Sequence, residues 1–330
     1  MQVTLGKRKR TLRVIADDTA TVSHAGGGPA DRLGLTRGRS RAMAPARERR
    51  SAHDPGQALR DLALMLAGGG DCLHDLGAIR DQADLFGRVA SDATAWRVID
   101  AVDEERLLAI RGARADARER AWAAGARPEA IVLDIDSTLV TSHSDKEGAA
   151  PTSKRGYGFH PLLCDLGGEA LSGVLRPGNA GANTAADHIA VLVDALDQLP
   201  EAVREDPDTP ILVRADSAGC THDLLNAVVE MERSFSVSMP IDEPVQEAIL
   251  TLPESAWEPA IRQDGGAREG AWVAELGDLD LSGWPPGARA ICRRERPHPG
   301  AQLSFTDHDG HRFQVLLTNQ EGAPPALEAR

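Results

Sequence analysis

Two apolar runs, each ending in aspartate, constrain this chain more than anything else in it. The first, IVLDIDSTLV at residues 131–140, places Asp134 and Asp136 after an apolar start. The second, ILVRADSAG at residues 211–219, brings Asp216 to the same position. Short apolar runs bounded by turn signals read as buried strands. The carboxyl ends of such strands are where open α/β sheets put their sites. Laid side by side and parallel, the two strands bring Asp134 or Asp136 to one edge with Asp216, although Asp136 and Asp216 are 80 residues apart in sequence. Converging acids repel unless a cation sits between them. Mg2+ or Mn2+, hard cations that prefer oxygen ligands, meet that demand. A single aspartate at a strand end is ordinary turn chemistry. Asp-x-Asp-Ser-Thr combined with Arg-Ala-Asp-Ser argues for a site.

The texture of the chain changes twice. Residues 1–54 are rich in Arg, Gly and Ala, with room for one short strand within residues 14–26. Residues 1–50 carry 12 Lys and Arg against four acids, in a chain whose net charge is −13. A basic arm on an acidic body suggests a polyanionic partner for the arm. From Pro55 the spacing is helical, with a stop at Gly68-Gly69-Gly70, a cap at Ser91 or Asp92, and a long segment from Asp103 that opens with acids and fills with Arg. Such a unit, with Arg97 exposed, has the makings of a helix-turn-helix.

After Pro128 the order reads β-β-β-α-β-α-β, and residues 242–320 then read as short strands around Trp, Pro and Gly turns. Aromatics are only 3% of the chain, so its core must rest on aliphatic residues. No run of about 18 apolar residues occurs, so no membrane partner is expected. The four cysteines, Cys72, Cys164, Cys220 and Cys292, form neither CxxC nor a zinc pattern and read as reduced, cytoplasmic thiols.

The β-β-β-α-β order with acids on its first and fourth strands is the layout of a ribonuclease H-like fold. Within it, LDIDSTLVTSHSDKEGAAPTSKRGYGFHPLL, GVLRPGNAGANTAADHI and ILVRADSAG resemble the DDE transposases of bacterial insertion sequences, and the thirteen-eighty family in particular. The N-terminal stretch from SAHDPGQALRDLALM and the later GAWVAELGDLDLSGWPPGARAICRRERPHPGAQLSFTDHDGHRF resemble the same family, so the similarity covers nearly the whole chain.

The resemblance implies an α/β fold: a ribonuclease H-like catalytic core with a β-rich insertion, preceded by a small all-helical N-terminal domain. The expected division is a basic arm at 1–54, a helical DNA-binding domain at 55–127, the first part of the core at 128–241 and the insertion at 242–330. It also implies Mg2+-dependent (or Mn2+-dependent) DNA strand cleavage and strand transfer at terminal inverted repeats, and insertion into target DNA. A homo-oligomer on the DNA and a cytoplasmic, nucleoid-associated location go with that activity. Asp136 takes the place of the first acid and Asp216 of the second. Asp134, two residues back on the same strand face, is the alternative metal ligand.

The third acid of that family is a Glu on a helix after the insertion. Glu328 resembles an upstream Glu instead, so the catalytic one is expected past Arg330. A C-terminally truncated copy with impaired or lost cleavage follows. A non-catalytic DNA-binding remnant is the alternative function.

IVLDIDSTLV also fits haloacid dehalogenase-like phosphatases, with Asp134 as nucleophile and Asp136 as general acid. Such enzymes need a later Lys or Arg, usually Lys, and further acids, yet no lysine follows Lys154. The other lysines are Lys7, Lys9 and Lys146, so two of four lie just after the first acid. With Arg155, Lys146 and Lys154 are the expected DNA phosphate contacts. Arg293, Arg294 and Arg296 form a second basic cluster, and His143 and His160 receive no role. Neutralising Lys154 and Arg155 should flatten the plot of log affinity against log salt by roughly 0.9 for each phosphate charge no longer neutralised. An unchanged slope in a salt titration of DNA binding would remove both residues from the interface.

Overall fold

A computed structural model describes residues 2–3, 14–15, 27–46, 53–142, 144–181, 184–297 and 307–329. The chain divides into two compact units, residues 1–127 with 198–201, and residues 128–197 with 202–330.

The first unit is helical apart from the two-residue strands β1 (Gln2–Val3) and β2 (Val14–Ile15), which pair antiparallel. Its helices are α1 (Gly27–Arg32), α2 (Leu35–Ala42), α3 (Pro55–Ala67), α4 (Leu76–Arg80), α5 (Ala83–Phe86), α6 (Asp92–Asp100) and α7 (Glu104–Ala121). The helix starts are written in the sequence. Asp54 accepts from the Gln57 amide at 3.1 Å with Pro55 at the first helical position, Ser91 caps α6, and Asp103 accepts from the Arg106 amide at 2.9 Å.

Part of the segment before residue 54 packs with the helices that follow it. Helices α1 and α2 belong to the helical unit, because α2 is wedged against α3 and α7. A Cβ on Gly38 would come within 2.6 Å of the Ala113 Cβ, and one on Gly56 within 2.3 Å of the Ser40 amide. Glycine at these contacts lets the backbones approach closely enough to bury Thr36 and Met43 in an otherwise arginine-rich segment.

In the second unit the strands are β3 (Ile131–Ser137), β4 (Val140–Thr141), β5 (Ala150–Pro151), β6 (Tyr157–Phe159), β7 (Leu162–Leu166) and β8 (Glu169–Val174). There follow α8 (Ala185–Asp197), α9 (Glu201–Arg204), β9 (Ile211–Ala215), α10 (His222–Glu230), β10 (Ser234–Met239) and α11 (Glu243–Thr251). The chain closes with β11 (Glu258–Ile261), β12 (Ala267–Glu275), β13 (Arg289–Glu295), β14 (Arg312–Thr318) and α12 (Pro324–Glu328).

Nine strands form one mixed sheet in the order β11-β12-β13-β14-β10-β9-β3-β7-β8. β3 pairs antiparallel with β7, and β7 with β8, through a turn at Gly167 and Gly168, both at positive φ. β9 runs parallel to β3, and β10 parallel to β9. The mixed α/β character and the element order agree with expectation. Along β3, buried Ile131, Leu133 and Ile135 alternate with partly or fully exposed Val132, Asp134 and Asp136. Helix α8 packs along β7 and β8, and α10 along β10.

Three details differ from the sequence reading. The stretch GYGFHPLLCDLGG, whose apolar pattern reads as a single strand, is not one strand. It breaks before Leu162, with β6 joining a separate three-stranded sheet in the order β4-β6-β5. Pro161 lacks the amide a continuous ladder would need. The later strands are not a separate β module either, since β14 pairs antiparallel with β10 and they extend the main sheet. Thr318 Oγ1 donates to the Phe235 carbonyl at 2.6 Å and the Phe235 amide to Asn319 Oδ1 at 2.8 Å, stitching that seam. Helix α11 and strand β11 were missed, and the strand expected at 302–307 lies outside the described residues for all but Asp307. Among the described residues, no helix is long and apolar enough to cross a membrane.

Cys164 on β7 and Cys292 on β13 are buried in opposite arms of the sheet, and burial is the main force pushing both thiols up to about 12. Exposed Cys72 should therefore alkylate with iodoacetamide under native conditions, while these two label only on unfolding. Mass spectrometry reads the sites, and Cys164 or Cys292 reacting as fast as Cys72 would contradict the closed sheet.

Candidate metal centre on the sheet

The parallel pairing of β3 with β9 sets Asp134 opposite Arg214 and Ile135 opposite Ala215. One residue on come Asp136 and Asp216, at the carboxyl ends of neighbouring strands. Paired strands lie about 4.8 Å apart, so the two carboxylates emerge side by side. Both line a cavity of about 500 Å3 with Asp134, Arg214, Ser236, Ser238, Arg293, Gln314 and Glu328.

Asp134 and Asp136 differ in what holds them. Arg214 donates Nε to Asp134 Oδ1 at 2.6 Å and Nη2 to Asp134 Oδ2 at 2.8 Å, a bidentate pair that uses both carboxylate oxygens. Asp136 Oδ1 accepts only the Ser137 amide, at 2.7 Å. Asp216 Oδ1 accepts the Ala218 amide at 2.9 Å as it caps the short turn at Ser217–Gly219. Each therefore keeps Oδ2 without a partner among the described residues. Two adjacent carboxylates, each anchored through one oxygen and open through the other, are a donor set that suits a hard divalent cation.

Sequence reasoning missed three parts of this site. Asp165 on β7 lies opposite Asp134 in register. Burial first, and then the charges of Asp134 and Asp136, raise its carboxyl above the ordinary range. An acid inside LLCDL was the signal for it. Arg214 was visible as a lone arginine inside an apolar strand. The alternate serines of SFSVSM place Ser236 and Ser238 on the cavity wall.

The basic residues separate into groups. Lys146, Lys154 and Arg155 are exposed on the loops of the small sheet β4-β6-β5, without a partner among the described residues. The cluster at Arg293, Arg294 and Arg296 splits between two faces. Arg293 lines the cavity and pairs with Glu328 on α12. Arg294 stacks over Trp257 at 4.4 Å and Trp272 at 5.1 Å and pairs with Glu254. Arg296 lies 5.8 Å from the Trp272 ring centroid. His160 is described below, and His143 lies outside the described residues.

Two solved structures share limited similarity: the Mos1 mariner paired-end complex with Mn, and the Mos1 transposase paired-end complex with left transposon end. Each is 11% identical with a TM-score of 0.23 and covers 57% of this chain. The alignments span 61% and 60% of those chains. No curated protein matches. The model of the family described as Transposase DDE domain group 1 matches residues 7–327, nearly the whole chain, and the chain belongs to that family.

Proposed function

We propose that the chain is a transposase of the insertion-sequence type whose core is ribonuclease H-like. In this reading Asp136 and Asp216 hold Mg2+ or Mn2+ for cleaving and joining DNA at the element's terminal inverted repeats. The observation that carries it is the adjacency of Asp136 and Asp216 at the ends of parallel strands, both lining the cavity and each with one oxygen unpartnered among the described residues. The sheet order β8-β7-β3-β9-β10, antiparallel on one side of β3 and parallel on the other, supports the fold assignment. Bound divalent ions in such a site activate the attacking oxygen and stabilise the leaving one. The protein's own part is to fix two carboxylates at a set spacing and to balance their charge through neighbours. Asp134 has a structural part here, because Arg214 neutralises both its oxygens. The same pair argues against Asp134 as a phosphatase nucleophile.

Glu328 lines the cavity but is neutralised by Arg293. With Glu328 committed to Arg293, cleavage by this polypeptide is expected to be weak. DNA binding does not depend on that deficit. In the helical unit, Arg32, Arg37 and Arg41 are exposed and without partners among the described residues, around a cavity of about 250 Å3 shared with Arg120. They suit a duplex phosphate backbone, and support for the DNA-binding reading comes from them.

Asp136→Asn and Asp216→Asn should each abolish tight Mn2+ binding, followed by calorimetry, and any Mg2+-dependent nicking of a plasmid carrying the flanking DNA. Asp134→Asn should leave Mn2+ affinity near its original value. Retained Mn2+ binding in both Asp136→Asn and Asp216→Asn would refute the assignment. Asp134→Asn should lower stability modestly, by about 1 kcal/mol or less for a pair this exposed, read as a small fall in Tm. A larger drop in Mn2+ affinity for Asp134→Asn than for Asp136→Asn would exchange their roles.

A further inference from the structure

The ring of His160 bridges two segments beside the candidate metal centre. Its Nε2 lies 3.0 Å from Ser137 Oγ and its Nδ1 lies 3.2 Å from the Ala180 carbonyl oxygen. A carbonyl oxygen can only accept, so in the neutral ring Nδ1 carries the proton and Nε2 accepts from the Ser137 hydroxyl. Ser137 directly follows Asp136, and its amide is the donor that anchors Asp136 Oδ1.

The imidazole is itself fixed by the chain around it. The His160 amide donates to the Arg176 carbonyl at 2.9 Å, and its carbonyl accepts from Arg176 Nε at 3.0 Å. Buried Arg176 also donates Nη1 to the Gly181 carbonyl and to Asp187 Oδ2, both at 3.2 Å, which ties down the loop that carries Ala180. His160 stands at the corner between β6 and β7. It therefore joins the small sheet bearing Lys154 and Arg155 to the strand end bearing Asp136.

We infer that His160, acting through Ser137, is the positioning residue that fixes the Asp136 carboxylate for metal binding. The inference rests on the reading of Asp136 as a metal ligand. The physical reason is local. Ser137 is the last residue of β3, opposite Leu162, and among the described residues the partner of its hydroxyl is His160 Nε2. A hydroxyl held by a fixed imidazole limits rotation of the peptide that anchors Asp136. Partners of this kind behind a metal ligand set the ligand's orientation and thereby the affinity.

The test is Mn2+ binding by the full chain, read as loss of the free-ion electron paramagnetic resonance signal, with thermal unfolding followed in parallel. His160→Ala should weaken Mn2+ binding about tenfold, Ser137→Ala should do the same, and the double variant should lose no more than either single. His160→Gln, whose amide oxygen can accept from Ser137, should recover most of the loss. In an Asp136→Asn background, His160→Ala should have no further effect. Unchanged Mn2+ affinity in His160→Ala and Ser137→Ala would overturn the inference. So would additive losses in the double variant, or a His160→Ala loss as complete as that of Asp136→Asn with no recovery in His160→Gln, which would make His160 a ligand. If Asp136→Asn itself leaves Mn2+ binding intact, the metal-site reading fails first and separately. Ser137→Ala removes a single hydroxyl and keeps the test decisive if His160→Ala unfolds.

Discussion

The register of β3 against β9 is the constraint on which the rest depends. A slip of one residue would turn Asp134, Asp136 and Arg214 toward the buried side and bring Leu133 and Ile135 out, which the core forbids. A slip of two keeps the faces but changes the charges. Moved one way it sets Asp134 against Asp216, two like charges side by side; moved the other it joins Asp136 to Arg214 and consumes the oxygen that faces the cavity. Only the observed register pairs Arg214 with Asp134 and leaves Asp136 and Asp216 adjacent and open. The cross-strand ion pair, modest in energy at its exposure, acts mainly as a selector among registers.

That arrangement places unusual polarity on one face of the sheet. In one row across the strands lie Asp165, Asp134, Arg214 and Ser236; in the next lie Leu163, Asp136, the position of Asp216, and Ser238. Arg214 answers one of the four acids. The Asp165 carboxyl beside them is raised by burial first and then by the charges of Asp134 and Asp136. Helix α12 closes part of the same face over Ala271, Val273 and Ile291 through Leu327, and it carries Glu328 to Arg293 rather than to the acids. The apolar end of the face is thus sealed, and the acidic end stays open to a cation.

Much of this was legible in the sequence because it follows from alternation and punctuation. IVLDID and ILVRAD announce two buried strands with acids at their ends, Gly167-Gly168 announces a tight turn, and Asp54, Ser91 and Asp103 announce helix starts. What stayed hidden depends on partners distant in sequence. The burial of α2 cannot be read from LTRGRSRA, because it rests on close approach at Gly38 and Gly56. The union of β14 with β10 cannot be read from RFQVLLTN, which looks like any exposed-edge strand until Thr318 and Asn319 meet Phe235. Strand parity splits Arg293 from Arg294, so a run that looks like one basic patch serves a cavity on one side and stacks on tryptophans on the other.

The treatment of arginine explains where a phosphate backbone can be met near the acids. Arg214 and Arg293 both face the cavity, but each is committed to a carboxylate, so neither adds net positive charge there. A planar guanidinium paired bidentately acts as structure, whereas an unpaired lysine on a loop remains a mobile point charge. Lys146, Lys154 and Arg155 sit on such loops, and the small sheet beneath them depends on Gly158, where a Cβ would lie 2.1 Å from the Val140 carbonyl oxygen. His160 follows Gly158 by two residues, directly after β6, and reaches Ser137 beside Asp136. The cations that suit phosphates and the acid that suits a metal ion are thus joined by one short path of backbone and one imidazole. A displacement of the small sheet would reach Asp136 along that path.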